Sequence, residues 1–284
     1  MARSKLRYSY VVVHDAYGRV SREVISLVLI LLMLGGLAGL LAGLLGIGGG
    51  LVIVPAMSWF LIEQGLNQDA AISISVATSL ASMVLTSASA VVFHARRRVI
   101  ASNVIIRLAP SVALGAIVGA ALAVWLGGEA LALVFAVIVA LIGLRMLIAF
   151  KDPARARHPF PRAWWLIGPV IGAISAMIGI GGGSFNVPYL RWNGYPMVNA
   201  VAMASTCGWL IGLGGAAAFA MMTVTNDPIG GLIGHVHWPA ALLIGLGGAA
   251  TAPLGVALGH RIPSRQLSRI FGGCLILVAL RMAL

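Results

Sequence analysis

The sequence predicts an all-α integral membrane protein of about eight transmembrane helices, built as two homologous four-helix repeats with broken helices at two glycine-rich motifs. Three observations carry this. The 284 residues are 60% hydrophobic and 9% charged, with a mean hydropathy of +1.02, far outside the range of a soluble domain. The charges gather at the N-terminus and in short breaks between apolar runs of about 20 residues, the length that spans a bilayer core. Third, the chain states one unusual stretch twice. Gly46-Ile47-Gly48-Gly49-Gly50, followed by Leu51-Val52-Ile53-Val54-Pro55, returns as Gly179-Ile180-Gly181-Gly182-Gly183, followed by Ser184-Phe185-Asn186-Val187-Pro188. One offset of 133 (188 − 55) relates the copies, and it also relates Gly35, Gly39 and Trp59 to Gly168, Gly172 and Trp192.

In chain order, residues 1–23 form a basic tail (Arg3, Lys5, Arg7, Arg19, Arg22), read as cytoplasmic. The preceding charge, the length of the first apolar run and the lack of a small-residue cleavage site argue against a removable leader. The first repeat covers 24–150. Its first span, 24–45, ends at the glycine motif, and a shorter apolar piece, 51–62, leads to the polar break 63–69. The second span, 70–93, is rich in small and hydroxyl residues (Ser73, Ser75, Thr78, Ser79, Ser82, Thr86, Ser87, Ser89), which favour close helix approach in lipid. It ends at His94-Ala95-Arg96-Arg97-Arg98, a cytoplasmic mark. The third span, 104–126, presents Gly115-x3-Gly119, and a Gly127-Gly128-Glu129 turn leads to the fourth, 130–150.

Residues 151–163 form a basic, proline-rich cytoplasmic linker. The second repeat, 164–284, follows the same plan: 164–178 into the second glycine motif, then 198–222, 238–258 and 267–284. Ser205-Thr206 answer Thr78-Ser79 at an offset of 127 (206 − 79), Gly255 answers Gly119, and Arg281 answers Arg145, both at 136 (281 − 145). Two four-span units would insert in the same orientation. The N-terminus, Arg96–Arg98 and the linker then share one side, but Arg261, Arg265 and Arg269 fall opposite. A re-entrant excursion at the glycine motif would change the parity and invert the halves, so the sequence leaves their relation open.

Several classes are excluded or disfavoured. A formal charge of +12 in a chain this apolar reflects loop Arg and Lys rather than a nucleic-acid partner. Cys207 and Cys274 lie within apolar runs, which argues against a disulfide framework or a thiolate metal site. His235-x-His237 lacks accompanying carboxylates or thiols, so no metal and no cofactor is expected. Neither glycine motif ends in Lys-Ser/Thr, as a nucleotide-phosphate loop would. No Ser, Thr or Cys shares a helix face with a His, Asp or Glu, so the chain is not read as an enzyme.

Every backbone N–H and C=O in lipid must be satisfied internally, so a broken helix is tolerated only where protein or water covers it. Glycines reach left-handed dihedrals, letting successive N–H groups converge, and the following helix adds the positive end of its dipole. The outcome is an anion site without a charged side chain. Close packing alone is the plainer explanation of such glycines, but duplication with a shared downstream proline favours a working site. Ser184 and Asn186 would make the second copy polar where Leu51 and Ile53 leave the first apolar. Pro55 and Pro188 lie too deep in their helices for the first-turn position that suits proline, and are expected to kink them.

The paired Gly-x-Gly-Gly-Gly…Val-Pro motifs, the Ala-Thr-Ser of the second span and the duplicated unit together resemble the TauE/SafE sulfite exporter family over residues 24–284. The resemblance implies a bacterial inner-membrane carrier for sulfite, sulfonates or related organic anions. By position it implicates Gly48, Gly49, Gly50, Pro55, Gly181, Gly182, Gly183, Pro188, Thr78, Ser79, Ser205 and Thr206 in substrate binding. All seven acidic residues lie at ends or in loops, unlike a carboxylate-based cation carrier or proton pump. Arg107, Arg145, Arg191 and Arg281 are candidates to attract anions, with snorkelling to the interface as the alternative. Proton coupling would fall to His94, His235 or His237. The expected partners are a small anion and the bilayer, in an export carrier working by alternating access, with uptake or a channel for another anion as the alternative.

Overall fold

In a computed structural model, the described residues are 24–44, 46, 48–148, 164–223, 230–259, 272–273, 275–277 and 279–280, without the side chains of Met146 and Trp192. The tail 1–23, the linker 151–163, Cys274, Arg261, Arg265, Arg269 and Arg281 lie outside them. Nine helices and one small ribbon are followed here: α1 (Val24–Leu44), α2 (Gly50–Glu63), α3 (Gln68–Arg96), α4 (Ser102–Leu126), α5 (Gly128–Leu147), α6 (Trp164–Met177), α7 (Gly183–Trp192), α8 (Met197–Met221), β1 (Leu232–Ile233), β2 (Val236–His237) and α9 (Trp238–Gly259). Six of them (α1, α3, α4, α5, α8, α9) are long and apolar enough to cross a membrane, while α2 and α6 are shorter apolar helices.

Helix α3 is the centre. Every residue from Ala71 to Met83 is buried, as a helix packed on all sides must be; α2, α8, α9 and α5 surround it. Its start is well defined: Asn67 Oδ1 accepts from the Ala70 amide at 2.8 Å, an N-cap, and Asp69 stands in the first turn near the positive helix end. Asp69 Oδ1 also accepts from the Glu129 amide at 2.7 Å, tying the α4–α5 turn to the same end of the bundle.

Two glycine seams bring the outer helices in. A Cβ at Gly35, Gly39 or Gly43 of α1 would overlap the backbone of Ile244, Gly248 or Ala252 of α9, and one at Gly115 or Gly119 of α4 would overlap Pro169 or Ala173 of α6. Such backbone contact is how helices associate in lipid, where apolar area supplies no drive. Thr251 adds a hydrogen bond from Oγ1 to the Gly36 carbonyl at 2.6 Å.

The seams also fix direction. Partner numbers rise together in both, so α1 runs parallel to α9 and α4 parallel to α6. The same rise links α3 to α9 through Thr78–His237, Thr86–Gly248 and Ser89–Ala249. Thus α1, α3 and α9 point one way. The Asn199 amide, at the start of α8, donates to the Val99 carbonyl at 2.8 Å, and Gly214 further along packs on Ala113 of α4, so α8 points the other way with α4 and α6. This corrects the shared side expected for the tail and the arginine cluster: α1 begins at the end of the bundle opposite Arg96–Arg98. Parity misled because α1, the glycine break and α2 go in and return before α3 starts.

Replacing Gly39 or Gly119 by Leu should lower the thermal midpoint of the purified protein by several degrees, an overpacking cost of about 1–3 kcal/mol. Gly230→Ala, with open space around it, should leave the midpoint unchanged.

Candidate anion-binding site

Both glycine motifs end a helix by left-handed turns. At α1 the Gly46 amide donates to Ala42 O at 2.9 Å with Gly46 at φ 66°. At α6 Gly179, φ 67°, donates to Ala176 O at 3.2 Å and Ile180 N–H reaches Ser175 O at 2.9 Å, the paired bonds of a Schellman cap. The motifs then meet. A Cβ on Gly48 would lie 2.9 Å from Gly181 Cα, and one on Gly50 would overlap the Gly179 carbonyl. Ser79, the twelfth of 29 residues in α3, donates from Oγ to that carbonyl at 2.9 Å. The crossing point therefore lies well inside the bundle, where an orphan carbonyl has no water to turn to.

Beyond that contact the copies diverge. The start of α2 faces the Gly179 carbonyl and Ser79, and its first turn carries the buried Leu51 and Ile53. The start of α7 faces polar atoms. Gly182 caps it at φ 67°, and its carbonyl accepts from Phe185 (3.1 Å) and Asn186 (2.7 Å). The amides of Gly183 and Ser184 have no backbone acceptor among the described residues. Asn186 and Ser175 are fully buried. Both amide atoms of Asn186, Ser175 Oγ and Ser184 Oγ have no hydrogen-bond partner. Asn186 Nδ2 and Ser175 Oγ stand 2.8 and 3.4 Å from where a Gly182 Cβ would be. Ile211 Cδ1, at 2.5 Å from the same point, closes the cluster from α8. Unpaired buried polar groups cost about 1–3 kcal/mol each, so a polar partner at this cluster would recover free energy that the structure now forgoes. The arrangement offers hydroxyl, amide and helix N-terminal donors to an oxyanion.

The expected residues fall into four groups. Gly48 meets Gly181 and Gly50 meets the Gly179 carbonyl at the crossing, Gly182 stands beside Asn186, Gly49 packs on Ala38 of α1, and Gly183 and Ser184 form the first turn of α7. Pro55 and Pro188 are each the sixth residue of their helices, beyond the first turn as expected. The hydroxyls of the long helices are already engaged: Thr78 Oγ1 accepts from the His237 amide at 3.1 Å, Ser205 Oγ donates to Val201 O at 2.9 Å, and Thr206 Oγ1 to Ala202 O at 3.1 Å. Arg107 and Arg145 are exposed, and Arg191 donates to Tyr195 O at 3.1 Å, about 12 Å along α7 from Gly183. Arg281 lies outside the described residues.

Ser175 is the member that sequence reading missed. The 133 offset pairs it with Ala42, so a small apolar residue in one copy standing opposite a hydroxyl in the other was the available signal. Of the histidines, His94 is buried near the end of α3 beside Phe93. His237 Nδ1 accepts from the Ala240 amide at 3.2 Å, capping α9. His235 sits in the ribbon turn with its ring on Phe219 and Nδ1 unpartnered.

These observations define a multi-pass membrane protein with a polar site at a broken helix. The profile described as Sulfite exporter TauE/SafE matches residues 31–282. A probable membrane transporter protein of Haemophilus influenzae is 31% identical over 91% of this chain and 99% of its own. Relatives in Bacillus subtilis (25%, covering 88% and 94%) and Methanocaldococcus jannaschii (24%, covering 92% and 97%) carry the same description. No solved structure matches. The chain belongs to the TauE/SafE sulfite exporter family.

Ser79→Ala should cost about 1–3 kcal/mol by leaving the Gly179 carbonyl unpaired, read as a lower melting midpoint. A second effect concerns pH. Burial holds the His235 imidazole below its ordinary value of 6.5, outweighing the opposite influence of the nearby Met222 and Phe219 backbone. The unfolded chain therefore binds the proton more readily, and stability present above about pH 6.5 should fall as the pH drops through that value. His235→Gln should flatten the dependence of the melting midpoint in that window.

Proposed function

We propose that the protein is a secondary transporter that moves a small sulfur-containing anion, sulfite or an organosulfonate, across the bacterial inner membrane in the export direction by alternating access. The observation that carries this is the pair Asn186 of α7 and Ser175 of α6 beside Gly182, both buried and without hydrogen-bond partners. The acidic residues among those described (Glu63, Asp69 and Glu129) lie at helix ends, which favours an anion over a cation as cargo.

The two halves are read as inverted repeats, each with four crossings and one short helix (α2 or α7) returning from the glycine break, eight crossings in all. Support comes from the exchange of partners: α1 lies on α9, and α6, its counterpart, lies on α4, the counterpart of α9. The opposed directions of α1 with α3 and of α6 with α8 fit the same scheme. Inversion also gathers the basic loops. Arg96–Arg98, the 151–163 linker and the segment with Arg261, Arg265 and Arg269 would then share the cytoplasmic side, with the tail 1–23 outside. Rocking of one half against the other about the Gly48–Gly181 contact would expose the α7 site alternately.

The test is flux of labelled sulfite and methanesulfonate from proteoliposomes. Wild type should carry at least one. Asn186→Ile, which copies Ile53 of the first motif, should lower flux at least about tenfold, the loss of one charge-assisted hydrogen bond, while melting like wild type. Absence of flux for every sulfur oxyanion would overturn the assignment, and unchanged flux in Asn186→Ile would overturn the site.

A further inference from the structure

We propose that the α7 site takes its ligand as a monoanion and rejects dianions, an inference that rests on the anion-carrier reading above. The described cations (Arg96, Arg97, Arg98, Arg107, Arg145 and Arg191) are exposed, at helix ends, or, for Arg191, engaged with Tyr195 O about 12 Å away along α7. No described countercharge therefore faces Gly182, Asn186 or Ser175. The cost of moving an ion out of water grows with the square of its charge, so a dianion costs about four times as much as a monoanion of similar size. Fixed neutral donors and one helix end gain only in proportion to the charge they meet, so the balance favours one charge over two.

Hydrogen-bond accounting leads to the same selection. The site offers donors from Asn186 Nδ2, Ser175 Oγ and the amides of Gly183 and Ser184, together with an unpartnered buried acceptor, Asn186 Oδ1. Turning the amide over exchanges the two positions but leaves one acceptor in place. A dianion such as sulfate presents acceptor oxygens alone and would face that carbonyl with like charge. A hydrogen-bearing monoanion supplies the missing donor; a sulfonate, with acceptor oxygens alone like sulfate, meets the carbonyl with one delocalised charge instead of two. The first glycine motif provides no second locus, because Leu51 and Ile53 occupy the equivalent positions.

The experiment is equilibrium binding by calorimetry to the full-length purified protein, with sulfite, methanesulfonate and sulfate compared between about pH 6 and pH 8.5. Sulfite changes from monoanion to dianion across this range, whereas methanesulfonate carries one charge throughout and sulfate two. Sulfite affinity should fall about tenfold per pH unit on the alkaline side, as the competent species becomes rarer. Methanesulfonate affinity should stay constant, which separates ligand protonation from titration of the protein. That control covers the titratable groups on the surrounding elements: Tyr189 and Arg191 on α7, Cys207 on α8, Arg107 on α4, and Asp69, His94 and Arg96 on α3, with His235 in the ribbon. Sulfate should bind at least about tenfold more weakly than methanesulfonate. Sulfate binding as tightly as methanesulfonate, or sulfite affinity constant or rising with pH, would overturn the monoanion assignment alone. No binding by any of the three would remove this inference and the function it rests on together. Ser175→Ala should weaken methanesulfonate several-fold with the melting midpoint retained; unchanged binding there would overturn the placement of the ligand.

Discussion

Backbone that leaves the helical pattern inside a membrane must find its hydrogen-bond partners in protein, and much of this structure follows from that constraint. The two glycine breaks meet each other, with Gly48 against Gly181 and Gly50 against the Gly179 carbonyl, which Ser79 also caps. Contact that close requires that neither side carry a Cβ. It also requires the helices entering the breaks to be held firmly. The glycine seams of α1 on α9 and α6 on α4 do this by backbone contact, and the buried length of α3 supplies the wall on which both breaks rest.

The breaks are alike in sequence but not in what they leave open. On the α2 side every feature points to closure: apolar Leu51 and Ile53, Ser79 bound, a neighbouring carbonyl filling the space. On the α7 side the same backbone plan, displaced by one residue in its second left-handed glycine (Gly48 against Gly182), sets Gly182 beside the unpartnered Asn186 and Ser175. One break is thus closed by packing, while the other keeps buried polar groups unpaired; in the proposed carrier the first would be the contact about which the halves move and the second the place where the anion binds.

Much of this was legible in the sequence because glycine, proline and Asn/Ser substitutions are local signals. The breaks, the offset of 133, the depth of Pro55 and Pro188 and the polarity of the second copy all depend on residue type at fixed spacing. Helix direction was not legible. It depends on whether α2 counts as a return path, and a largely apolar helix of 14 residues does not declare that; the parallel seams do. Nor could hydroxyl-rich spans reveal that Ser205 and Thr206 spend their protons on their own helix, or that Thr78 is taken by a ribbon 159 residues away. Ser175 was hidden because a single serine in an apolar helix is unremarkable until its side chain is seen without a partner.

The central claim is that an anion sits at the start of α7 and not at the start of α2 or among the hydroxyls of α3 and α8. The most direct measurement is anomalous diffraction from crystals soaked with a selenium oxyanion analogue of the substrate. The account predicts a selenium peak whose oxygens lie within hydrogen-bond reach of Asn186 and Ser175 and of the Gly183 and Ser184 amides. A peak at Leu51 and Ile53, or one coordinated by Thr78 and Ser205 with the α7 cluster vacant, would contradict it.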